Sequence, residues 1–418
     1  MVCSTAFITL GRSQLRALGA GSLPIAVMPH PFGVRTRVQV RELAETLVAE
    51  IVRLATGGID KTAQAVNAGS AKIITAAVLA MPNDLIAFNE ESERRRWSDG
   101  LPLIPPTESR VEQMLTGTQR ARHAVVARVA PGFGEATVER IAINAVMAGC
   151  RAEYLPVLMA AVEAVADPQF NIQGIQATTN SAAPWIIVNG PLATQLGFNA
   201  GLNCLGQGTR ANATLGRALR LVLQNIGGAL PGEMDRATHG QPGKYSFCCA
   251  ENEAASPWTP LHAERGFAND ENVVTVVGAA GTLNLNSHSK DAADLLRVIA
   301  ASMSYPTSND VHFAGEPWLI LSPEHADVFA RGGYDKVTLK EAIWAQSKMP
   351  ASSFARKDYD RAEHTRSSEL GGFAQDTLVP ISPSPRDIGI IVAGGPGTHS
   401  VYVPTFGQTR AVSRRIGS

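Results

Sequence analysis

The chain has 418 residues, more than one compact core holds, so two or three domains are expected. Apolar residues make up 45% and charged residues 18%, which excludes a disordered chain. Lys plus Arg and Asp plus Glu both number 37, no basic stripe is interleaved with aromatics, and no run approaches the ~20 apolar residues of a membrane span, so neither a nucleic acid nor a membrane is an expected partner.

Val2–Thr5 reads as the end of a strand, with Ser4 or Thr5 capping a helix over Phe7–Leu18 that Gly19 stops. Leu23–Met28 is a strand-length apolar run broken at His30-Pro31. Val40–Ala55 is an amphipathic helix with Leu43, Leu47, Ile51 and Leu54 on one face. Alternating buried strand and helix implies a parallel sheet, and a doubly wound sheet does not normally begin in mid-strand, so residues 1–57 are expected to be a partial Rossmann-like half-domain. Residues 58–100 read as a connector, punctuated by Gly57-Gly58 and Pro82-Asn83. The mixed-charge run Glu90–Arg96 closes it as a solvated helix face.

Pro105-Pro106 and the cap Thr107 open the main domain, residues 101–418, which has room for two subdomains. Strands are predicted at Ala124–Val129, Gly174–Thr179, Trp185–Val188, Tyr245–Ala250, Val273–Val277, Trp318–Leu321, Ile388–Val392 and Val401–Val403. Helices are predicted at Glu108–Leu115, Glu135–Ala148, Glu153–Val165, Ala211–Ile226, Lys290–Met303, Glu324–Arg331 and Leu339–Gln346. The expected class is therefore α/β with α+β elements: a partial Rossmann-like N-terminal half-domain followed by a large mixed α/β domain.

The cysteines are Cys3, Cys150, Cys204, Cys248 and Cys249, an odd and widely spaced set that suits a reducing compartment. Met1 is followed by a strand-like stretch and not by an export signal, so the expected location is the cytoplasm. Cys150 sits between two helices, near the N-terminus of the second, where a thiolate is favoured; its plain alternative is a buried cysteine in a tight turn. Cys204 lies in the Gly-rich loop "GLNCLGQG", which matches no phosphate-binding fingerprint.

The densest stretch is "HGQPGKYSFCCAENE". A strand there sends Cys248 and Cys249 to opposite faces, with Glu251 sharing the parity of Cys249. His239 precedes it, Glu253 lies just beyond, and His262 and Glu264 follow. Two thiols, two imidazoles and three carboxylates within 26 residues suit a metal site or an acid–base site, although the spacing fits no standard zinc pattern. The plain alternative is a polar loop around a strand end. Weaker candidates are His288, the set Asp310, His312 and Glu316, then His325, His399, Arg210 and Arg217. "TTN" (Thr178–Asn180) and "VNGP" (Val188–Pro191) end strands, where α/β folds bind ligands.

The opening stretch "CSTAF…LG.GSLPIAVMPHPFG" resembles the second half of the UGSC-type proteins, distant relatives of the selenoprotein subunits of the glycine, sarcosine and proline reductases. In that family a reactive cysteine or selenocysteine follows the first strand. The resemblance aligns Cys3 with a later turn and His30 and Pro31 with another, so the reactive role does not fall on Cys3. It implies that the first half is carried on another polypeptide, lies upstream, or has been lost. Stretches such as "GCRAEYLPV", "QATTNSAAPWIIVNGP" and "SPWTPLHAERGF" resemble the long C-terminal region of some UGSC-type proteins.

The leading expectation is an enzyme using thiol or metal-bound thiol chemistry on a carbon–heteroatom bond of a small-molecule substrate, a lyase or an oxidoreductase. Cys248 or Cys249 would be nucleophile or ligand, His239 or His262 the proton carrier, and Glu251 its partner, with Glu264 nearby. The first alternative is a metal- or iron–sulfur-dependent hydratase or hydro-lyase with Cys150, Cys204 and Cys248 as three ligands and a metal ion or cluster as cofactor. The second is a scaffold subunit completing a partner that carries the missing half. A homo-oligomer is expected in each case.

Overall fold

The computed structural model describes residues 1–57 and 76–417, so the connector's residues 58–75 lie outside the described residues. The N-terminal segment is a β-α-β unit. The strands Val2–Ser4 and Ala26–Met28 pair in parallel, and the helix Ile8–Ala17 connects them. That helix docks on the main domain: Ser13 Oγ donates to the Pro131 carbonyl at 2.9 Å, and Gln173 Nε2 donates to Gln14 Oε1 at 2.6 Å. Arg236 Nε reaches the Ala6 carbonyl at 2.7 Å. The following helix, Arg37–Thr56, begins with a capping box at Thr36 and Gln39 and buries none of its residues.

The main domain is a mixed α/β fold of four layers. Its central sheet has the order Val412–Arg415, Val273–Ala279, Ala183–Asn189, Cys248–Ala250, of which only the last pair is parallel. A second sheet runs Gly389–Val392, Trp318–Leu321, His399–Val403, Leu283–Asn286, with only the first pair parallel.

Side-chain alternation along the strands assigns the layers. Ile186, Val188, Cys248, Ala250, Val274 and Val276 face a helical layer, meeting Ile141, Leu158, Val162 and Leu219. The intervening residues Trp185, Ile187, Cys249 and Val277 face the other way and pack against Trp318, Ile320, Ile391 and Val403 of the second sheet. The Trp185 and Trp318 rings meet edge-on across this seam at 5.9 Å. The far side of the second sheet, with Leu319, Leu321, Ile390 and Tyr402, packs against Leu295, Ile299, Phe329, Leu339 and Ile343 of the outer helices.

Most predicted elements recur within a residue or two, Trp318–Leu321 and Glu108–Leu115 without change. Three differ. Gly174–Thr179 is not a strand; Ile172–Ala177 is helical, its first turn held by Asn171, whose side chain accepts from Gly174 N. The first residues of the predicted helix Glu135–Ala148 belong to the strand Gly134–Thr137, and the helix starts at Val138 behind its cap Thr137. "GTLNLNS", read as a polar loop, contains the edge strand Leu283–Asn286, exposed on one face and therefore free to be polar.

Candidate functional site

The parallel strands Ala183–Asn189 and Cys248–Ala250 end side by side, and the second sheet ends at the same place: Asn252 N donates to the Val392 carbonyl at 2.8 Å, and Gly394 N to the Ala200 carbonyl at 2.8 Å. Loops leaving strand ends carry backbone groups the ladder no longer satisfies, so polar side chains collect there. Asn189 closes the first strand. Its Nδ2 donates to Glu251 Oε2 at 2.6 Å and to Glu253 Oε1 at 2.9 Å. Gly190 turns the chain at φ 90°, and its N–H reaches Glu253 Oε1 at 2.8 Å; a Cβ on it would sit 2.3 Å from the Glu271 carbonyl oxygen.

Glu251 Oε2 also accepts the Leu261 N–H at 2.7 Å, tying the strand end to the short helix Leu261–Glu264. The next residue, His262, is fully buried. Its Nε2 donates to the Asn269 carbonyl at 3.3 Å, so Nδ1 faces Glu253 Oε1 at 3.6 Å. Lys336, the first residue of the helix Lys336–Gln346, enters from the second half of the chain. A helix N-terminus disfavours a cation, and Lys336 is held there by carboxylates: Glu264 Oε2 at 3.2 Å and Glu251 Oε1 at 3.8 Å, with Lys340 on the other Glu264 oxygen. Burial pushes the Glu251 carboxyl above its ordinary range, with Lys336 opposing. Burial acts on Glu264 in the same sense, but Lys336 and Lys340 outweigh it and hold that carboxyl low.

Three buried atoms of this network have no hydrogen-bond partner: Glu251 Oε1, Asn189 Oδ1 and His262 Nδ1. Unpaired buried polar atoms are costly and rare, and three in one cluster mark a place built to receive something. On the outer side, Lys336 and Glu264 line a cavity of about 420 Å³ together with Pro257, Trp258, Thr259, Asp335 and Val337. That volume suits a small molecule.

The structure therefore brings together Glu251, Glu253, His262 and Glu264 from the expected stretch, and adds Asn189, Lys336 and Lys340. "VNGP" at a strand end was the sequence signal for Asn189. Lys336 carried none, because its approach depends on the packing of one half of the chain on the other. His239 lies apart, exposed in a turn and outside the network. Cys248 and Cys249 do face opposite sides, as alternation requires, and both are buried. Cys248 sits in the helix-side core, where burial drives its thiol well above the usual range. Cys150 lies beside it, its Sγ on the Thr214 carbonyl at 3.4 Å, and burial pushes its thiol up to about 12.

Cys204 is on the other side of the sheet, in the buried cluster that also holds Cys249. The three-cysteine set Cys150, Cys204 and Cys248 is thus divided by the sheet. Among the described residues no group of three or more His, Cys, Asp or Glu side chains is placed to hold a metal ion.

The weaker candidates have local duties. Asp310 accepts from Tyr402 Oη and Thr405 Oγ1, each at 2.6 Å. His325 lies between Ser400 Oγ at 2.7 Å and the Ser287 carbonyl at 2.9 Å. His312 meets the Pro306 carbonyl at 2.7 Å, and Glu316 accepts from Ala411 N at 2.9 Å. Arg217 clamps Asp99 with two bonds of 2.8 Å. His288 and His399 are exposed, beside Thr398 and Asn284 respectively. No helix among the described residues is long and apolar enough to cross a membrane.

The model of the UGSC family matches residues 1–57, the β-α-β unit and the helix after it, and this match does not reach the four-layer domain. No curated protein and no solved structure matches the chain.

Proposed function

We propose that this chain, whose residues 1–57 are a UGSC-family segment, is an enzyme that makes or breaks a carbon–heteroatom bond of a small polar substrate by general acid–base chemistry at the Glu251 network. The observation that carries this reading is the group of three unpartnered buried atoms, Glu251 Oε1, Asn189 Oδ1 and His262 Nδ1, behind Lys336, which stands 3.8 Å from Glu251 Oε1 and lines the cavity. Asn189 Oδ1 accepts only, and Glu251 Oε1 accepts when ionised and donates when protonated, so they fit the O–H or N–H of a substrate's hydroxyl or amino group. Glu251, its carboxyl raised by burial, is suited to hand a proton to such a heteroatom as its bond to carbon breaks, or to take one as it forms. Lys336 and Glu264 line the cavity together with Trp258, whose Nε1 is fixed on the Tyr334 carbonyl at 3.0 Å.

The test is a turnover screen with small hydroxy and amino acids, followed by NMR. Glu251→Gln should lose at least about 100-fold of any activity found, the lower range for removing a general acid, with the circular dichroism unchanged. Full activity in Glu251→Gln would remove Glu251 from the chemistry.

A second reading concerns partners. Among the described residues the N-terminal sheet has two strands, and the helix Arg37–Thr56 has no fully buried residue, which favours an assembly completed by a second copy or by a chain carrying the other UGSC half. Light scattering of the purified chain, and analysis of what co-purifies, tests this.

A further inference from the structure

A second cavity, of about 460 Å³, opens in the helical layer of the main domain and shares no lining residue with the one at Lys336. Three arginines from three separate segments line it: Arg110 of the helix Glu108–Leu115, Arg151 in the turn after Gly149, and Arg210 at the start of the helix Arg210–Asn225. Gly149, at φ 87°, ends the helix Val138–Ala148. The turn it makes leaves Cys150 buried in the core and Arg151 exposed.

Most arginines elsewhere in the main domain hold a carboxylate, as Arg122, Arg217 and Arg414 do. Among the described residues Arg110, Arg151 and Arg210 are in no ion pair. Two of them are fixed through one nitrogen: Arg110 Nη1 donates to the Pro105 carbonyl at 2.9 Å, and Arg210 Nε to the Gly149 carbonyl at 3.0 Å. The other N–H groups of both forks have no protein partner among the described residues. Glu153 is the single carboxylate in the lining, so the three guanidinium groups leave an excess of two positive charges there. The helix that Arg210 opens has no acidic residue in its first turn to offset its own positive end. Like charges gathered in one place repel one another, and an anion between them removes that cost.

We propose that this cavity binds a small phosphate monoester. A phosphate monoester carries a charge of about −1.5 to −2 at pH 7 on three acceptor oxygens. That matches the excess charge and offers an acceptor to each guanidinium. The planar forks of arginine fit phosphate bidentately, whereas lysine, which the lining lacks, acts as a point charge. Ile104, Met114 and Val146 supply apolar surface for the organic part of the molecule, and the volume suits a ligand of that size. A dicarboxylate divides the same charge between its two ends, so neither end satisfies all three arginines. Glu251 takes no part in this site, and the assignment stands apart from the acid–base reading.

Isothermal titration calorimetry of the full chain compares glycerol 3-phosphate with succinate. Glycerol 3-phosphate should bind with a Kd of about 1 mM or below, and succinate at least about tenfold more weakly. Arg151→Gln removes an exposed side chain and should weaken glycerol 3-phosphate at least about tenfold at an unchanged melting temperature. Arg386→Gln, at an exposed arginine outside the cavity, should leave the affinity as it is. A further readout needs no variant to fold: phenylglyoxal modifies arginines, and glycerol 3-phosphate should slow its reaction with Arg110, Arg151 and Arg210 but not with Arg386, as mapped by mass spectrometry. No binding of glycerol 3-phosphate, equal binding of succinate, unchanged affinity in Arg151→Gln, or protection that misses the three cavity arginines would each overturn the proposal.

Discussion

The two faces of the central sheet are made by the same strands, yet they differ in chemistry. Toward the helices, Ile186, Val188, Cys248, Val274 and Val276 form a continuous apolar surface, and even Cys248 and Cys150 are there as small hydrophobic side chains. Toward the second sheet, Trp185, Ile187, Cys249 and Val277 form a seam that also takes in Cys204, with the Glu251 network at its edge. The helical layer, built from the helices Val138–Ala148, Leu155–Ala166 and Arg210–Asn225, covers its face of the sheet with apolar side chains. A sheet-on-sheet seam ends where the strands end, and the loops of both sheets must share that edge. The lesson is that one face is packing and the other face is packing with chemistry at its margin.

The largest expected effect is at the seam itself. Trp185→Ala removes a fully buried ring that bridges the sheets and should cost about 3–5 kcal/mol, read as a lower urea midpoint. Leu158→Ala on the helix face should cost a similar amount, about 2–5 kcal/mol, and only the seam variant should also speed alkylation of Cys249. Equal thiol protection in both would erase the distinction between the faces.

Next comes Lys336→Met, which leaves Glu251 buried without its cation. The loss should be about 3 kcal/mol at pH 8 and smaller at pH 5, because burial raises the Glu251 carboxyl and a carboxyl that takes up a proton no longer needs a cation. Urea titrations at the two pH values check it; the same loss at both would mean that Lys336 matters through packing alone.

The outer face of the second sheet offers a third contrast, because Asp310 is fully buried there and its carboxyl is pushed up to about 7 by desolvation. The folded state holds this proton more tightly than the unfolded state, so its contribution to stability is lost as pH rises from about 4 to 7. Asp310→Asn should gain on the natural chain across that window, on the order of 4 kcal/mol, by urea titration. A constant difference between the two proteins would place the carboxyl's titration elsewhere.

The smallest effect is expected at Cys248. Cys248→Ser puts a hydroxyl in an apolar core and should cost about 1–2 kcal/mol. Any activity should be unchanged, and a loss of activity with an unchanged melting temperature would return Cys248 to the chemistry.

Much of the fold was legible because periodicity reports burial. The strands Ala183–Asn189 and Trp318–Leu321 are unbroken apolar runs buried on both faces, and the helix Arg210–Asn225 shows its apolar stripe. Where a short cap decided, the reading failed: Asn171 turned Ile172–Ala177 into a helix, and Thr137 delayed the next one. Part of the site was legible too. Glu251, His262 and Glu264 lie within one stretch, so local composition exposed them, and alternation alone separated Cys248 from Cys249.

What the amino-acid order determined by itself was therefore local: which segments are strand or helix, which residues share a face, and that the stretch around Cys248 is dense in ionisable groups. The tertiary structure alone decided the rest. That Lys336 would reach across 85 positions of chain to Glu251, that Cys204 would share a buried cluster with Cys249 and not with Cys150, and that His239 would stay outside all depend on two sheets stacking face to face. Contacts of that range arise because each sheet has a second apolar face to bury, and no spacing within a segment records which distant surface will cover it.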